Sequence, residues 1–147
     1  MSHEDVRRHA PVSGPRAKPR ELETAEEELK LGEFQNVPCL SMSEAALLVK
    51  AILDRRTRRG VNRVWSEYFD AFAYFRHAES IEAVERLVGA HQELASFEKA
   101  QLSTLRCTDA EEAERLIPSL TDKISNEDLQ ILLDDIHAIR LLDAERA

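Results

Sequence analysis

The chain has 147 residues, of which 43% are apolar and 33% are charged, and its formal net charge is −8 at pH 7. This length corresponds to one domain, with room for a tail. The acidic balance repels polyphosphate at long range, which argues against a protein that works mainly by gripping nucleic acid. No apolar run approaches the roughly 18 residues of a membrane span, so no membrane contact is predicted.

Turn-forming residues are scarce outside the N-terminal segment, which holds Pro11, Pro15 and Pro19 among a total of five prolines and four glycines. This distribution predicts an all-α protein and argues against a sandwich or barrel. Residues 1–22 have no hydrophobic periodicity and too little apolar surface to offset the entropy of ordering, so we predict a disordered tail. The two cysteines, Cys39 and Cys107, are predicted to be reduced thiols.

The segment 23–61 is predicted to contain an arm and the first helix. Residues 29–34 are predicted to be extended, with a break at Gly32. The helix begins at Ser41 or Ser43, because Ser41 and Glu44 have the spacing of a capping box. Its body, residues 45–53, is apolar almost all round. Such a helix in a small domain needs cover on two sides, one from its own core and the other from a partner chain.

The stretch 54–63 interrupts this pattern with Gly60 and five arginines. Two interpretations stay open. The arginines form a solvated loop between helices, or they contact phosphate or RNA, because guanidinium forks match phosphate oxygens. The candidate RNA-contact residues are Arg55, Arg56, Arg58, Arg59 and Arg63.

A second helix follows, with aromatic residues at helical spacing. Six of the eight aromatic residues of the chain fall between residues 65 and 75. We predict that this stripe is the centre of the core rather than a cofactor site. Its members are Trp65, Tyr68, Phe69, Phe72 and Phe75.

Four further helices complete the predicted bundle, which runs from about residue 62 to the end. The third ends near Gly89 and the fourth contains Leu102. A second capping-box spacing at Thr108 begins the fifth, which Pro118 stops. Ser125 caps the last helix. Its apolar stripe consists of Leu129, Leu132, Leu133, Ile136 and Ile139.

We find no pattern that predicts catalysis, a cofactor or a metal. The four glycines form no phosphate-binding loop. The five histidines show neither metal-ligand spacing nor nearby cysteine pairs. Adjacent acids such as Asp134 and Asp135 point in different directions on a helix and indicate a solvated face.

Three blocks in order resemble the fourth subunit of RNA polymerase II, especially its fungal forms. The first, LGEFQN, leads into Leu40 and residues 43–45. The second is FEKAQL, with Leu105 and Cys107 after it. The third is DAEEA running into LIPSL, followed by residues 129–136. Together the blocks cover roughly residues 22–140.

The resemblance implies a helical fold like the HRDC domain found at the ends of some helicases, and no catalytic residue. It implies a nuclear stalk subunit of the RNA polymerase II core. That subunit pairs with the seventh subunit beside the RNA exit path and supports initiation, with room for roles in messenger-RNA fate. RNA would be reached mainly through the partner. The implied division is a tail (1–22), a partner-binding arm with the first helix (23–61) and an HRDC-like domain (62–147). The implied contact residues are Leu29, Leu31, Phe34, Val37, Leu40, Leu47, Leu48 and Ile52.

Two alternatives stay open. One is the equivalent stalk subunit of RNA polymerase III, which the acidic fifth helix and the LIPSL block fit less well. The other is a stand-alone HRDC-type module that binds nucleic acid, which the arginine-rich stretch favours and the net charge of −8 opposes.

Overall fold

The computed structural model describes residues 22–55 and 59–146, and for residues 59–63, 65 and 66 it describes the backbone alone. Within these ranges the protein is mostly helical, which confirms the all-α prediction. A small antiparallel hairpin precedes the helices. Apart from Leu22, the predicted disordered tail lies outside the described residues. The elements are β1 (Thr24–Ala25), β2 (Leu29–Lys30), α1 (Met42–Asp54), α2 (Arg59–Phe72), α3 (Ala78–Gly89), α4 (Ser96–Thr104), α5 (Ala110–Leu116) and α6 (Asn126–Glu145).

The extended segment predicted for residues 29–34 is only partly correct. Leu29 and Lys30 form strand β2, but Gly32–Phe34 is a single turn of 3-10 helix. Gly32 has a φ of 57°, a left-handed conformation that residues with a side chain rarely adopt. It ends the strand, and the N–H of Phe34 then donates to the carbonyl of Leu31 at 3.0 Å. At Gly32, where the sequence predicts a break, the chain therefore changes from an extended strand to a turn of 3-10 helix.

The start of α1 confirms the predicted capping box. The Ser41 hydroxyl accepts a hydrogen bond from the N–H of Glu44 at 3.2 Å, and the N–H of Ser41 donates to the Glu44 carboxylate at 2.6 Å. Two backbone donors that the helix cannot satisfy itself are thereby paired. The helix accordingly begins at Met42.

The main core lies among α3, α4, α5 and α6 and the turns between them. The longest of the described helices, α6, packs chiefly against α3, and α5 packs on the first half of α6. Close packing of leucine, isoleucine and valine side chains from these four helices accounts for the stability of the fold. The fully buried large apolar residues include Leu102, Leu120 and Leu129.

The prediction that the aromatic stripe forms the centre of the core is wrong. Tyr68 and Phe72 are 47% and 58% exposed, whereas Phe75 is buried. Helix α2 ends at Phe72 and packs mainly on α1, so the exposed Tyr68 and Phe72 lie away from the α3–α6 core; the side chain of Trp65 is outside the described part of the structure. Phe75 reaches that core from the linker after α2, where its N–H donates to the buried Ser43 hydroxyl at 2.9 Å.

Helices α5 and α6 are each capped by a residue directly before the helix, mostly as predicted. The cap of α5 is Asp109 rather than Thr108, because the Asp109 carboxylate accepts from the N–H of Glu112 at 2.8 Å. Thr108 instead donates its N–H and hydroxyl to the Glu112 carboxylate. Pro118 ends α5 and begins a 3-10 turn. Ser125 caps α6, as the sequence predicts.

Candidate protein-interaction surface

Five large apolar side chains in the segment before α1 and on α1 itself are exposed, and we call them together the N-terminal apolar surface. Its exposed fractions range from 43% to 61%. Clusters of large apolar side chains left open to water commonly mark protein-interaction sites. The residues of this surface are Phe34, Val37, Leu40, Leu48 and Ile52.

Helix α1 has two apolar sides, as its sequence predicts. Leu47 packs against the α3–α6 core, and Ser43, one turn earlier, is buried. Leu48 and Ile52, four residues apart, lie together on the exposed side. One side of α1 is therefore covered by its own domain, and in the described structure the other side remains exposed.

The eight contact residues implied by the family resemblance do not share one environment. The five of the N-terminal apolar surface are exposed, whereas Leu29 and Leu31 are half-buried near the hairpin. Leu47 belongs to the internal packing of the domain. The structure therefore brings five of the eight to a surface where a partner can reach them.

The segment that leads into α1 is fixed to the domain by side chains of α4. The N–H of Cys39 donates to the Ser96 hydroxyl at 2.8 Å, and the N–H of Met42 donates to the Thr104 hydroxyl at 3.0 Å. Both bonds join residues more than fifty positions apart. They hold Leu40 beside α1, so this part of the surface is preformed, which lowers the entropic cost of binding.

Helix α2 extends the apolar surface with residues that the sequence interpretation assigned to the core. Val64, Tyr68 and Phe72 recur every four residues and are 70%, 47% and 58% exposed. A groove of about 490 Å³ separates α1 from α2 and is lined by apolar residues such as Leu53 and Phe69. The spacing of these side chains was visible in the sequence, but the side of α2 that faces solvent was not.

The arginine cluster is divided between helix ends. Arg55 is exposed at the C-terminal cap of α1. Arg59 and Arg63 belong to the first turns of α2, so the predicted loop through residue 63 is wrong, and only their backbone is described. Arg56 and Arg58 lie outside the described residues. The RNA-contact interpretation of these arginines therefore stays a prediction.

The polar chemistry of the described residues is that of a packed helical domain. Among residues 22–55 and 59–146, no group of three or more histidine, cysteine, aspartate or glutamate side chains has the arrangement of a metal site. No helix in the same ranges is long and apolar enough to cross a membrane. Cys39 and Cys107 are free thiols. Burial raises the pKa of the Cys107 thiol, and the nearby carboxylates of Glu112 and Asp109 raise it further.

The structure is that of a small helical domain with exposed apolar side chains on its N-terminal side, an arrangement typical of subunits that bind other proteins. The family model described as RNA polymerase Rpb4 matches residues 39–140. The chain belongs to the RNA polymerase Rpb4 family, which confirms the resemblance seen in the sequence.

Two fungal relatives illustrate the match. The chain is 43% identical over 122 residues to DNA-directed RNA polymerase II subunit rpb4 of Schizosaccharomyces pombe, covering 77% of this chain and 89% of that protein. It is 40% identical over 76 residues to DNA-directed RNA polymerase II subunit RPB4 of Saccharomyces cerevisiae. That second match covers 52% of this chain and 34% of the Saccharomyces cerevisiae protein.

Proposed function

We propose that this chain is a non-catalytic stalk subunit of RNA polymerase II that pairs with the seventh subunit through the N-terminal apolar surface. The observation that carries the proposal is the outward side of α1, where Leu48 and Ile52 are exposed, together with the exposed Leu40 just before the helix. The family match and the names of the two relatives support the assignment to RNA polymerase II.

The energetics of such a contact are favourable. Each large apolar side chain transferred from water to a packed interface contributes about 1.5–3 kcal/mol before the costs of association. The N-terminal apolar surface offers five such side chains, and Val64, Tyr68 and Phe72 extend it along α2. A contact of this kind suits a lasting heterodimer rather than a transient encounter.

The proposal gives each part of the chain a task. Residues 23–61 supply the arm and helix α1 that embrace the partner, and residues 62–147 supply an HRDC-like domain. The heterodimer belongs to the nuclear polymerase, supports initiation and acts beside the RNA exit path. RNA is contacted mainly through the partner. We also propose that this subunit has roles in messenger-RNA fate and shuttles to the cytoplasm.

The decisive experiment is co-expression of the full chain with the seventh polymerase II subunit of the same organism, followed by size-exclusion chromatography with light scattering. We expect a stable one-to-one complex and poor solution behaviour of this chain alone. A soluble monomer that does not bind the seventh subunit would overturn the proposal and favour a stand-alone HRDC-type module. Preference for the corresponding polymerase III subunit would favour the polymerase III stalk.

A truncation tests which part of the chain makes the contact. Removal of residues 1–53 deletes the arm and nearly all of α1, and we expect it to abolish the complex. Because that deletion also removes Leu47 from the core, point variants on the exposed side of α1 are the matched test. Unchanged affinity in both the truncation and the point variants would show that the interface lies elsewhere.

A further inference from the structure

Two arginine side chains contact one tyrosine ring. Tyr74 lies in the linker between α2 and α3 and is half-buried. The guanidinium carbons of Arg106 and Arg140 lie 4.7 Å and 5.1 Å from the centre of its ring. Arg106 follows α4, and Arg140 belongs to α6. The sum of the two distances, 9.8 Å, is an upper limit for the separation of the two guanidinium carbons.

Among residues 22–55 and 59–146, neither guanidinium is paired with an acidic side chain. In the described part of the chain, neither Arg106 nor Arg140 forms an ion pair, and the Nε of Arg140 is buried without a hydrogen-bond acceptor. In a chain with 28 acidic residues this is unusual. Asp143, three residues after Arg140 on α6, instead accepts hydrogen bonds from Arg76 and His77. Two positive charges are therefore left without a counter-ion.

The geometry suits a phosphate group. Cation–π contact with the ring holds each guanidinium in place, and apart from the buried Nε of Arg140 the N–H groups stay free to donate. Those N–H groups match the oxygens of a phosphate better than an ammonium does. The Tyr74 hydroxyl is a further donor at neutral pH; burial raises its pKa, and the nearby Arg140 and Arg106 partly offset this. Arg76, two residues further along the linker, is exposed and adds positive charge.

We propose that Arg106, Arg140 and Tyr74 form a binding site for one phosphorylated serine or threonine side chain of a partner protein. Two guanidiniums neutralise a single dianion. A nucleic-acid backbone carries a row of phosphates rather than one, and the net charge of −8 opposes its approach. None of the three residues belongs to the N-terminal apolar surface.

Nuclear magnetic resonance of the ¹⁵N-labelled full chain tests this site directly, because the Nε–H groups of Arg106 and Arg140 give their own signals. The probe is a phosphoserine pentapeptide with glycine and alanine flanks, and the control is the same peptide without the phosphate. We expect both arginine signals to shift on titration with the phosphopeptide until the shifts saturate, and to stay unchanged with the control peptide. An absence of saturating shifts at these two groups would overturn the proposal.

Single-residue variants distinguish a specific binding site from nonspecific electrostatic attraction of the phosphopeptide. Arg106→Gln removes an exposed guanidinium without disturbing the core, and we expect about tenfold weaker phosphopeptide binding because charge-assisted hydrogen bonds are lost. Arg140→Lys keeps the positive charge but removes the paired N–H donors of the guanidinium, and we expect it to weaken phosphopeptide binding as well. Arg115→Gln, on the exposed side of α5, is the matched control and should bind normally. Equal weakening in all three variants would contradict a specific site.

Two competitors identify the source of the phosphate. Inorganic phosphate is expected to bind more weakly than the phosphopeptide, since it lacks the peptide contacts. Equal affinity would make this a free-anion site and overturn the peptide assignment. A ten-nucleotide uridine oligomer is expected to bind more weakly still. Tighter, strongly salt-dependent binding of the oligomer that is lost in Arg106→Gln would overturn the proposal in favour of nucleic acid.

Discussion

The carboxylate of Asp143, near the end of α6, lies at the beginning of α3 and contacts His77 twice. One oxygen accepts a hydrogen bond from the N–H of His77 at 3.1 Å and lies 2.9 Å from its Nδ1 atom. The other oxygen accepts from the N–H of Arg76 at 3.1 Å. His77 precedes α3 and provides no side-chain cap itself. The last helix therefore supplies the anion that the N-terminus of α3 favours.

Replacement of Asp143 by asparagine keeps the shape of the side chain and removes its charge. We expect Asp143→Asn to lower the free energy of unfolding by about 2 kcal/mol, because one buried residue serves several donors at a helix N-terminus. Urea unfolding followed by circular dichroism measures the change. Asp135→Asn, on the exposed side of the same helix, is the control and should be nearly neutral. Equal effects of the two variants would contradict this role.

The same carboxylate predicts a pH dependence of stability. Burial acts to raise the pKa of Asp143, but hydrogen bonds from Ser80, Arg76 and His77 outweigh burial and hold the pKa below its ordinary value of 3.8. A pKa that is lower in the folded state stabilises the protein above the unfolded-state pKa, and this contribution is lost as the pH falls through the folded-state pKa.

The measurement is the free energy of unfolding from about pH 7 down to about pH 3, for the wild type and for Asp143→Asn. The difference between the two proteins should be constant near neutrality and should narrow at the acidic end, where the wild-type carboxylate becomes protonated. A difference that stays unchanged throughout the range would show that the Asp143 charge does not stabilise the fold.

A second carboxylate, that of Glu98, is completely buried and joins α4 to the turn before α6. One oxygen contacts the Lys123 ammonium at 2.6 Å, and the other accepts from the N–H of Ala95 at 2.7 Å. We expect Lys123→Met to cost about 2 kcal/mol, less than for a fully buried pair because Lys123 is partly exposed. Chemical denaturation measures it.

A double-mutant cycle distinguishes the ion pair from general packing. The double variant Glu98→Gln with Lys123→Met should be more stable than the sum of the single changes predicts, since each single change leaves a charge without its partner. Lys30→Met is the matched control, because the Lys30–Glu28 pair is 3.8 Å long and exposed, and it should not change stability measurably. Strict additivity of the Glu98 and Lys123 changes would rule out coupling between them.

Local signals made much of the helical framework predictable. The cap at Ser41 depends on a residue three positions away, Pro118 ends a helix through its own ring, and Ser125 accepts from Asp128. All of this information lies within one helical turn. The Thr108 prediction failed by one residue because threonine and aspartate both favour the cap position, and the backbone geometry decides which of these neighbours caps the helix.

The parts of the site that depend on distant contacts were less predictable. The sequence indicated that α1 is apolar on more sides than its own domain can cover. It did not show that Leu47 faces the core while Leu48 faces water. The aromatic stripe looked like a core for the same reason, since periodicity marks an apolar side without saying what covers it. Asp143 with His77, and Tyr74 with Arg140, join residues more than sixty positions apart, so no local pattern indicated them.

Phe72, at the end of α2, and Phe75, in the linker after it, allow a direct test of which aromatic ring is structural. We expect Phe75→Ala to destabilise the protein by about 3–4 kcal/mol, because its ring is buried in the core. Phe72→Ala should change stability little, because Phe72 is mostly exposed. Thermal and urea unfolding compare the two truncations of the same side chain. Comparable losses would restore the aromatic stripe as the centre of the core.

The last prediction concerns the N-terminal apolar surface and uses a control matched in exposure. Leu48 and Leu141 are 52% and 51% exposed, on α1 and α6 respectively. We expect Leu48→Asp to weaken binding of the seventh subunit at least about tenfold, since a charge would be buried in an apolar contact, and to leave the unfolding transition nearly unchanged. Leu141→Asp should leave both quantities unchanged.

Isothermal titration calorimetry with the purified seventh subunit measures the affinities, and circular dichroism confirms folding of each variant. Ile52→Asp, one turn after Leu48, is expected to behave like Leu48→Asp because both side chains lie on the same exposed side of α1. If Leu48→Asp and Ile52→Asp bound normally while Leu141→Asp did not, the partner would contact α6. The apolar side of α1 would then need a different occupant.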